Sequence, residues 1–204
     1  MFCSWPTRLS KRAALRSNKL RERTLLDISP IVDELAKAQT LFLRAADEIA
    51  SQHWNTKPEA EKWSGAEVVA HLILVERGVN DAAKRVTQKT PKSFKPWQKM
   101  HLPLWLVRVR ILRRKSPVPL VPALLGHKEN MLNELRATRT RTLDFLEETQ
   151  HRDLGAYRWK HPFLGSLTTY EWFEMIAAHQ MRHGKQVKEL ARQLPKVVEI
   201  SQKQ

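Results

Sequence analysis

Glycine is scarce: the 204 residues hold six, spread thinly, and no GxGxxG or Walker pattern occurs. A glycine-rich phosphate loop is therefore not expected. Cysteine is scarcer still. With Cys3 alone, the chain cannot form an internal disulfide or build a cysteine-based zinc cluster. Nothing demands an oxidising compartment. No apolar run approaches the roughly 18 residues that a spanning helix needs. The first residues are basic and polar, without the apolar core of a secretory signal, so a cytoplasmic protein is expected. Acidic residues are missing from one long stretch: residues 82–128 carry twelve Lys/Arg and no Asp or Glu.

That gap decides how to read the net charge of +15. Residues 1–29 hold seven bases against Glu22 and Asp27. Everything outside 1–29 and 82–128 holds seventeen bases and nineteen acids. The excess thus sits in an N-terminal extension and a central insert, around a nearly neutral remainder. The expected organisation is a basic extension over 1–29, disordered or a weak extra helix, then a bundle over 30–194 with a basic insert at 90–126, then a tail over 195–204.

What is present reads as four helices. The first spans about Pro30 to His53, with Pro30 suited to a first helical position. Ile31, Leu35, Ala38, Phe42, Ala45 and Ile49 recur there at helical spacing. The second follows Trp63, where Ser64 and Glu67 form a capping-box pattern and Val68, His71, Leu72, Val75 and Val79 form a stripe. Pro91 closes it. The third spans about Gly126 to Gln150. The fourth starts at a second capping box, Thr168 with Glu171, and runs to Pro195. Between the second and third lie 37 residues with six of the eleven prolines. A connection that long lets consecutive helices run parallel, whereas short ones make them antiparallel. The expectation is all-α: an up-down-down-up four-helix bundle with a long crossover between helices 2 and 3. Leu104–Lys115 is read as a short added helix.

His179 and His183 are spaced i, i+4, which stacks both imidazoles on one helix face. Trp172, Ile176 and Val187 share that stripe, so the pair should point inward. His71 lies on the inward stripe of helix 2. A lone histidine on an apolar face is ordinarily a hydrogen-bonded core residue. Three of them meeting in a bundle core would be costly to satisfy with hydrogen bonds, and a metal satisfies all three at once. His71, His179 and His183 are therefore the candidate metal ligands. His161, Trp172 and Trp63 are candidate pocket residues. His53, His101, His127 and His151 are expected at helix ends or in loops, in solvent.

These residues resemble the DinB-like superfamily of metal-binding bundles. The resemblance rests on Trp63-Ser64 before a helix with His71-Leu72, on His161-Pro162-Phe163-Leu164-Gly165-Ser166-Leu167-Thr168 leading into Tyr170-Glu171-Trp172, and on His179-Gln180-Met181-Arg182-His183 followed by Gln186. It covers about residues 30–193. It independently implies the up-down-down-up order and places the three ligands on helices 2 and 4. It also implies membership of a group that includes bacillithiol and mycothiol S-transferases and maleylpyruvate isomerase, with members that are often homodimers.

Three ligands leave open positions on a divalent ion, as catalytic sites do. Imidazoles suit zinc, nickel, copper or iron. A thiol S-transferase or a hydrolase acting on small molecules is one expectation, with a low-molecular-weight thiol as a fitting substrate. A metal-binding, stress-related bundle without catalysis is the second. Binding of an anionic membrane surface or nucleic acid through residues 82–128 is the third; it is disfavoured against a solvated basic loop. No catalytic nucleophile or base can be named. Cys3 lies near the terminus, Glu67 is assigned to its cap, Glu174 is expected to point away from the ligand face, and Arg182 is expected at the surface or the pocket rim.

Overall fold

The computed structural model describes residues 27–108 and 125–195. Among them four long helices form the bundle: α1 (Ser29–Asp47), α2 (Gly65–Thr87), α4 (Lys128–Glu148) and α5 (Thr169–Gln193). A one-turn helix, α3 (Trp105–Arg108), precedes α4. The extension over 1–26, most of the expected short helix beyond Arg108, and the tail from 196 lie outside the described residues.

Local chemistry sets the helix starts. Ser64 accepts the Glu67 backbone N–H at 3.2 Å, and the Glu67 carboxylate accepts the Ser64 N–H at 2.8 Å. Thr168 and Glu171 repeat this at 3.1 and 2.7 Å. Each cap contributes about 1 kcal/mol and fixes the rotational phase of the helix behind it. Pro30 sits in the first turn of α1, as expected. That helix ends at Asp47 rather than near His53. Ala50 turns extended, and Ser51–His53 form a separate 3-10 turn.

Two clusters of the core reveal the helix directions. One joins the end of α1 (Phe42, Ala46), the start of α2 (Val69, Leu72), the start of α4 (Leu132, Leu135) and the end of α5 (Val187, Leu190). The other joins the start of α1 (Leu35), the end of α2 (Val79, Ala83), the end of α4 (Phe145) and the start of α5 (Phe173, Ile176). Helices α1 and α5 therefore run one way, and α2 and α4 the other. This is up-down-down-up, with the crossover between α2 and α4. Lys128 fastens one end: its Nζ donates to the Ile49 carbonyl at 2.8 Å, just past the end of α1.

A two-stranded hairpin is an addition to the expected all-helical layout. β1 (Arg158–His161) pairs antiparallel with β2 (Gly165–Thr168), His161 opposite Gly165. Gly165 has φ +99°, and a Cβ there would lie 2.7 Å from the Met100 carbonyl oxygen. Both facts require glycine at this turn. The hairpin leads directly into α5 and sets His161 and Trp159 beside Trp172.

Candidate metal centre

α2 and α5 bring His71, His179 and His183 together. His71 Nε2 lies 3.2 Å from His179 Nε2, and His183 Nε2 lies 3.1 Å from it. One ligand atom from each ring falls within 4.8 Å of the others. His71 and His183 are buried, while His179 keeps partial solvent access.

Hydrogen bonding alone does not account for this arrangement. A neutral imidazole carries one N–H and one lone pair. A ring nitrogen at the centre of two contacts with other Nε2 atoms is either a donor with a single proton or an acceptor with a single lone pair. One of its contacts is left unsatisfied either way. Two nitrogens about 2.0–2.1 Å from a shared ion stand roughly 2.9–3.4 Å apart, depending on the angle at the ion. The two spacings to His179 fall inside that window and all three ligand atoms lie within 4.8 Å of one another, so the donor set suits a divalent metal.

The surroundings favour neutral rings. Burial lowers the His71 pKa to about 4. His179 is held well below its ordinary value, first by desolvation and then by His183, His71, Arg182 and His161. Gln186 fixes a tautomer: its Oε1 lies 2.9 Å from His183 Nδ1. If Nδ1–H donates there, the lone pair is left on Nε2, as a metal ligand requires. Trp63 stacks on His183, with centroids 6.1 Å apart and planes 6° apart, and lies 5.0 Å from His71. It walls one side of the trio.

His161 stands near but outside the trio. Its Nδ1 accepts the backbone N–H groups of Phe163 and Leu164, both at 3.1 Å. That leaves its proton on Nε2. Its ring lies 5.0 Å from Trp172, and burial lowers its pKa to about 4. Trp172 is buried and donates to the Trp159 carbonyl at 3.4 Å. Arg182 is half-buried and close enough for its charge to act on His179.

Other expectations fare differently. Glu67 serves the α2 cap and an ion pair with Lys57 at 2.8 Å. Glu174 lines a cleft of about 240 Å³ with Glu34, Leu104, Trp105, Arg108 and Ala178, a lining that holds none of the three histidines. Burial and the nearby Glu171 raise its pKa. His101 is not simply solvated: its Nε2 lies 2.9 Å from a Glu171 oxygen, because residues 100–102 run along β2.

Beside the trio lies a buried ion pair that the sequence reading missed. Arg139 Nε and Nη2 donate to Glu76 at 2.8 and 3.0 Å. Arg139 Nη1 donates to the Leu35 carbonyl at 2.7 Å, and Nη2 also to Gln180 Oε1 at 2.8 Å. Thr142 donates to Glu76 at 2.6 Å. Arg139 and Glu76 are each 2% exposed. The available signal was an acid and a base, Glu76 and Arg139, at inward positions of two facing helices.

Known proteins bear on this geometry. The sequence profile of the DinB superfamily matches residues 34–187, which include all three histidines. An uncharacterized protein of Bacillus subtilis (strain 168), YuaE, is 28% identical over 145 residues, covering 70% of this chain and 85% of that protein. No solved structure is a significant match.

Proposed function

The chain belongs to the DinB superfamily, and from that premise we propose that it is a divalent-metal-dependent enzyme acting on small molecules, either a thiol S-transferase or a hydrolase. The observation that carries this reading is the convergence of three histidine nitrogens, with His179 Nε2 facing both of the others. His71, His179 and His183 would hold zinc, nickel or iron. Three protein ligands leave positions open, and an ion held so brings a bound water or thiol near neutral acidity.

The chain's own residues would do the rest. Gln186 orients His183. Trp63 covers the ligands on one side and keeps water from that face. Arg182 adds positive charge near His179, suited to drawing in an anionic thiol. His161, with its proton on Nε2, is a neutral donor at the pocket, next to Trp172. A homodimer in the cytoplasm completes the proposal.

One observation favours a second reading, a metal-binding bundle without catalysis. Among the described residues the carboxylates nearest in sequence to the ligands are engaged elsewhere: Glu67 in its cap, Glu76 with Arg139, and Glu174 in the cleft beside Arg108. Among the described residues no carboxylate joins the three histidines in their cluster.

Metal analysis of the purified protein decides first. Stoichiometric metal is expected, lost in His71→Ala and in His179→Ala; a metal-free wild type would sink both readings. A screen pairing thiols with epoxides and alkyl halides, together with amide hydrolysis, then separates them. Turnover that disappears with the metal supports the enzyme. Full metal without turnover supports the binding protein.

A further inference from the structure

Seven large apolar side chains remain exposed among the described residues. Four of them crowd into residues 97–105: Trp97, Met100, Leu102 and Trp105, at 64, 73, 51 and 60% exposure. A fifth, Phe163, is 44% exposed at the hairpin tip. Backbone bonds join these two places. The Leu102 N–H donates to the Leu164 carbonyl at 2.7 Å, and the Ser166 N–H donates to the Met100 carbonyl at 3.3 Å. His101 pairs antiparallel with Gly165 between them. Residues 100–102 thus lie along the edge of β2, where alternate side chains take opposite faces. His101 turns to Glu171, 2.9 Å away, and Met100 and Leu102 take the outer face.

The segment that runs along this edge carries charge of one sign, while Glu171 lies against His101 and Glu34 and Glu174 share a cleft with Trp105. Residues 88–105 contain Lys89, Lys92, Lys95 and Lys99, all exposed, and no acid. Lys95 Nζ stands 5.0 Å over the Trp97 ring. A run of lysines alone reads as a solvated loop. Apolar side chains held outward among them change that reading, because a soluble surface gains nothing by exposing a backbone-anchored cluster of this kind.

We propose that this surface docks onto an anionic phospholipid membrane. Lysines meet the headgroups, the tryptophans sit at the interface, and Met100, Leu102 and Phe163 enter the acyl boundary. A single-stranded nucleic acid would use the lysines and tryptophans but has no use for the aliphatic edge. A second copy bound through the same face would set lysines against lysines. No described helix is long and apolar enough to cross a membrane, so the contact is peripheral.

The test is sedimentation of the full-length protein with vesicles of phosphatidylcholine alone, or mixed with phosphatidylglycerol, at low and high salt. Binding to the mixed vesicles at low salt is expected, weakened by high salt and absent with phosphatidylcholine alone. Trp97→Ala with Met100→Ala, and separately Lys92→Glu with Lys95→Glu, should each cut the bound fraction roughly tenfold. Leu41→Ala, an exposed apolar residue on α1, should leave it unchanged. Unaltered circular dichroism melting shows that the variants are folded. Absence of binding at low salt overturns the proposal, as does binding that both double variants leave intact. Tighter capture of a single-stranded oligonucleotide, untouched by Met100→Ala, or a dimer that Trp97→Ala with Met100→Ala dissociates, overturns it in favour of the other occupants. Metal plays no part in these readouts.

Discussion

Two polar clusters sit side by side in the same bundle, and their difference is instructive. Glu76, Arg139 and Thr142 form a closed set: the guanidinium meets the carboxylate twice, a carbonyl once and the Gln180 amide oxygen once, while the buried Gln180 Nε2 at its margin is left without a partner among the described residues. His71, His179 and His183 form an open one, whose ligand nitrogens converge on one another, His179 Nε2 facing both of the other rings. Both draw on α2 and α5; α4 supplies Arg139 and Thr142 to the first and nothing to the second. A closed polar set specifies how helices pack. An open set marks where something else binds.

If the closed set is structural, breaking one side should cost most. Arg139→Met strands the Glu76 carboxylate and should destabilise the protein by about 3–5 kcal/mol in urea unfolding. Adding Glu76→Gln should recover much of that loss. A double variant as unstable as the single one would show that the pair is not a unit.

The open set should reveal itself through pH. In the metal-free protein His71 is neutral down to about pH 4, whereas an unfolded histidine takes its proton near 6.5. Between these values the unfolded chain binds the extra proton, so stability is full above about 6.5 and falls as pH drops toward 4, by up to about 3 kcal/mol. His161 adds a loss of the same sign. His71→Gln should flatten the slope. Urea midpoints measured across this range check it, and an unchanged slope in the variant would assign the dependence elsewhere.

Ligand loss comes next in size. His179→Ala should weaken metal binding by more than about a hundredfold, read by competition with a chromogenic chelator, while leaving metal-free stability nearly unchanged. Arg139 variants that still fold should retain metal, since they touch no ligand. The smallest effect is expected at Gln186→Leu, roughly tenfold in metal affinity, because it frees the His183 tautomer without removing a ligand. Equal losses at Gln186 and His179 would erase the distinction between orienting and ligating.

The open set was legible in sequence and the closed set was not. His179 and His183 declare themselves because a four-residue step keeps one helix face, and His71 falls on a stripe whose phase the Ser64–Glu67 cap sets. Glu76 sits beside Val75 on the border of the same stripe, and periodicity does not separate neighbours half a face apart. Charge also argued against placing Glu76 and Arg139 inside, since each is buried only by virtue of the other. The hairpin escaped notice because each strand has four residues, too few for an alternation to stand out. His101 was read as solvated because its partner, Glu171, is distant in sequence.

The sequence by itself determined the four long helices, their order, the two capping boxes and the three inward histidines, since all of these follow from local period, local caps and connection length. Tertiary structure alone decided the rest: that Arg139 has Glu76 and Gln180 to receive it, that residues 100–102 lie along β2 and turn Met100 and Leu102 outward, and that Trp63 walls the ligands. Each of these depends on where a distant segment comes to rest. Burial of a charge and exposure of an apolar side chain are properties of the neighbour that arrives, and no local pattern carries them.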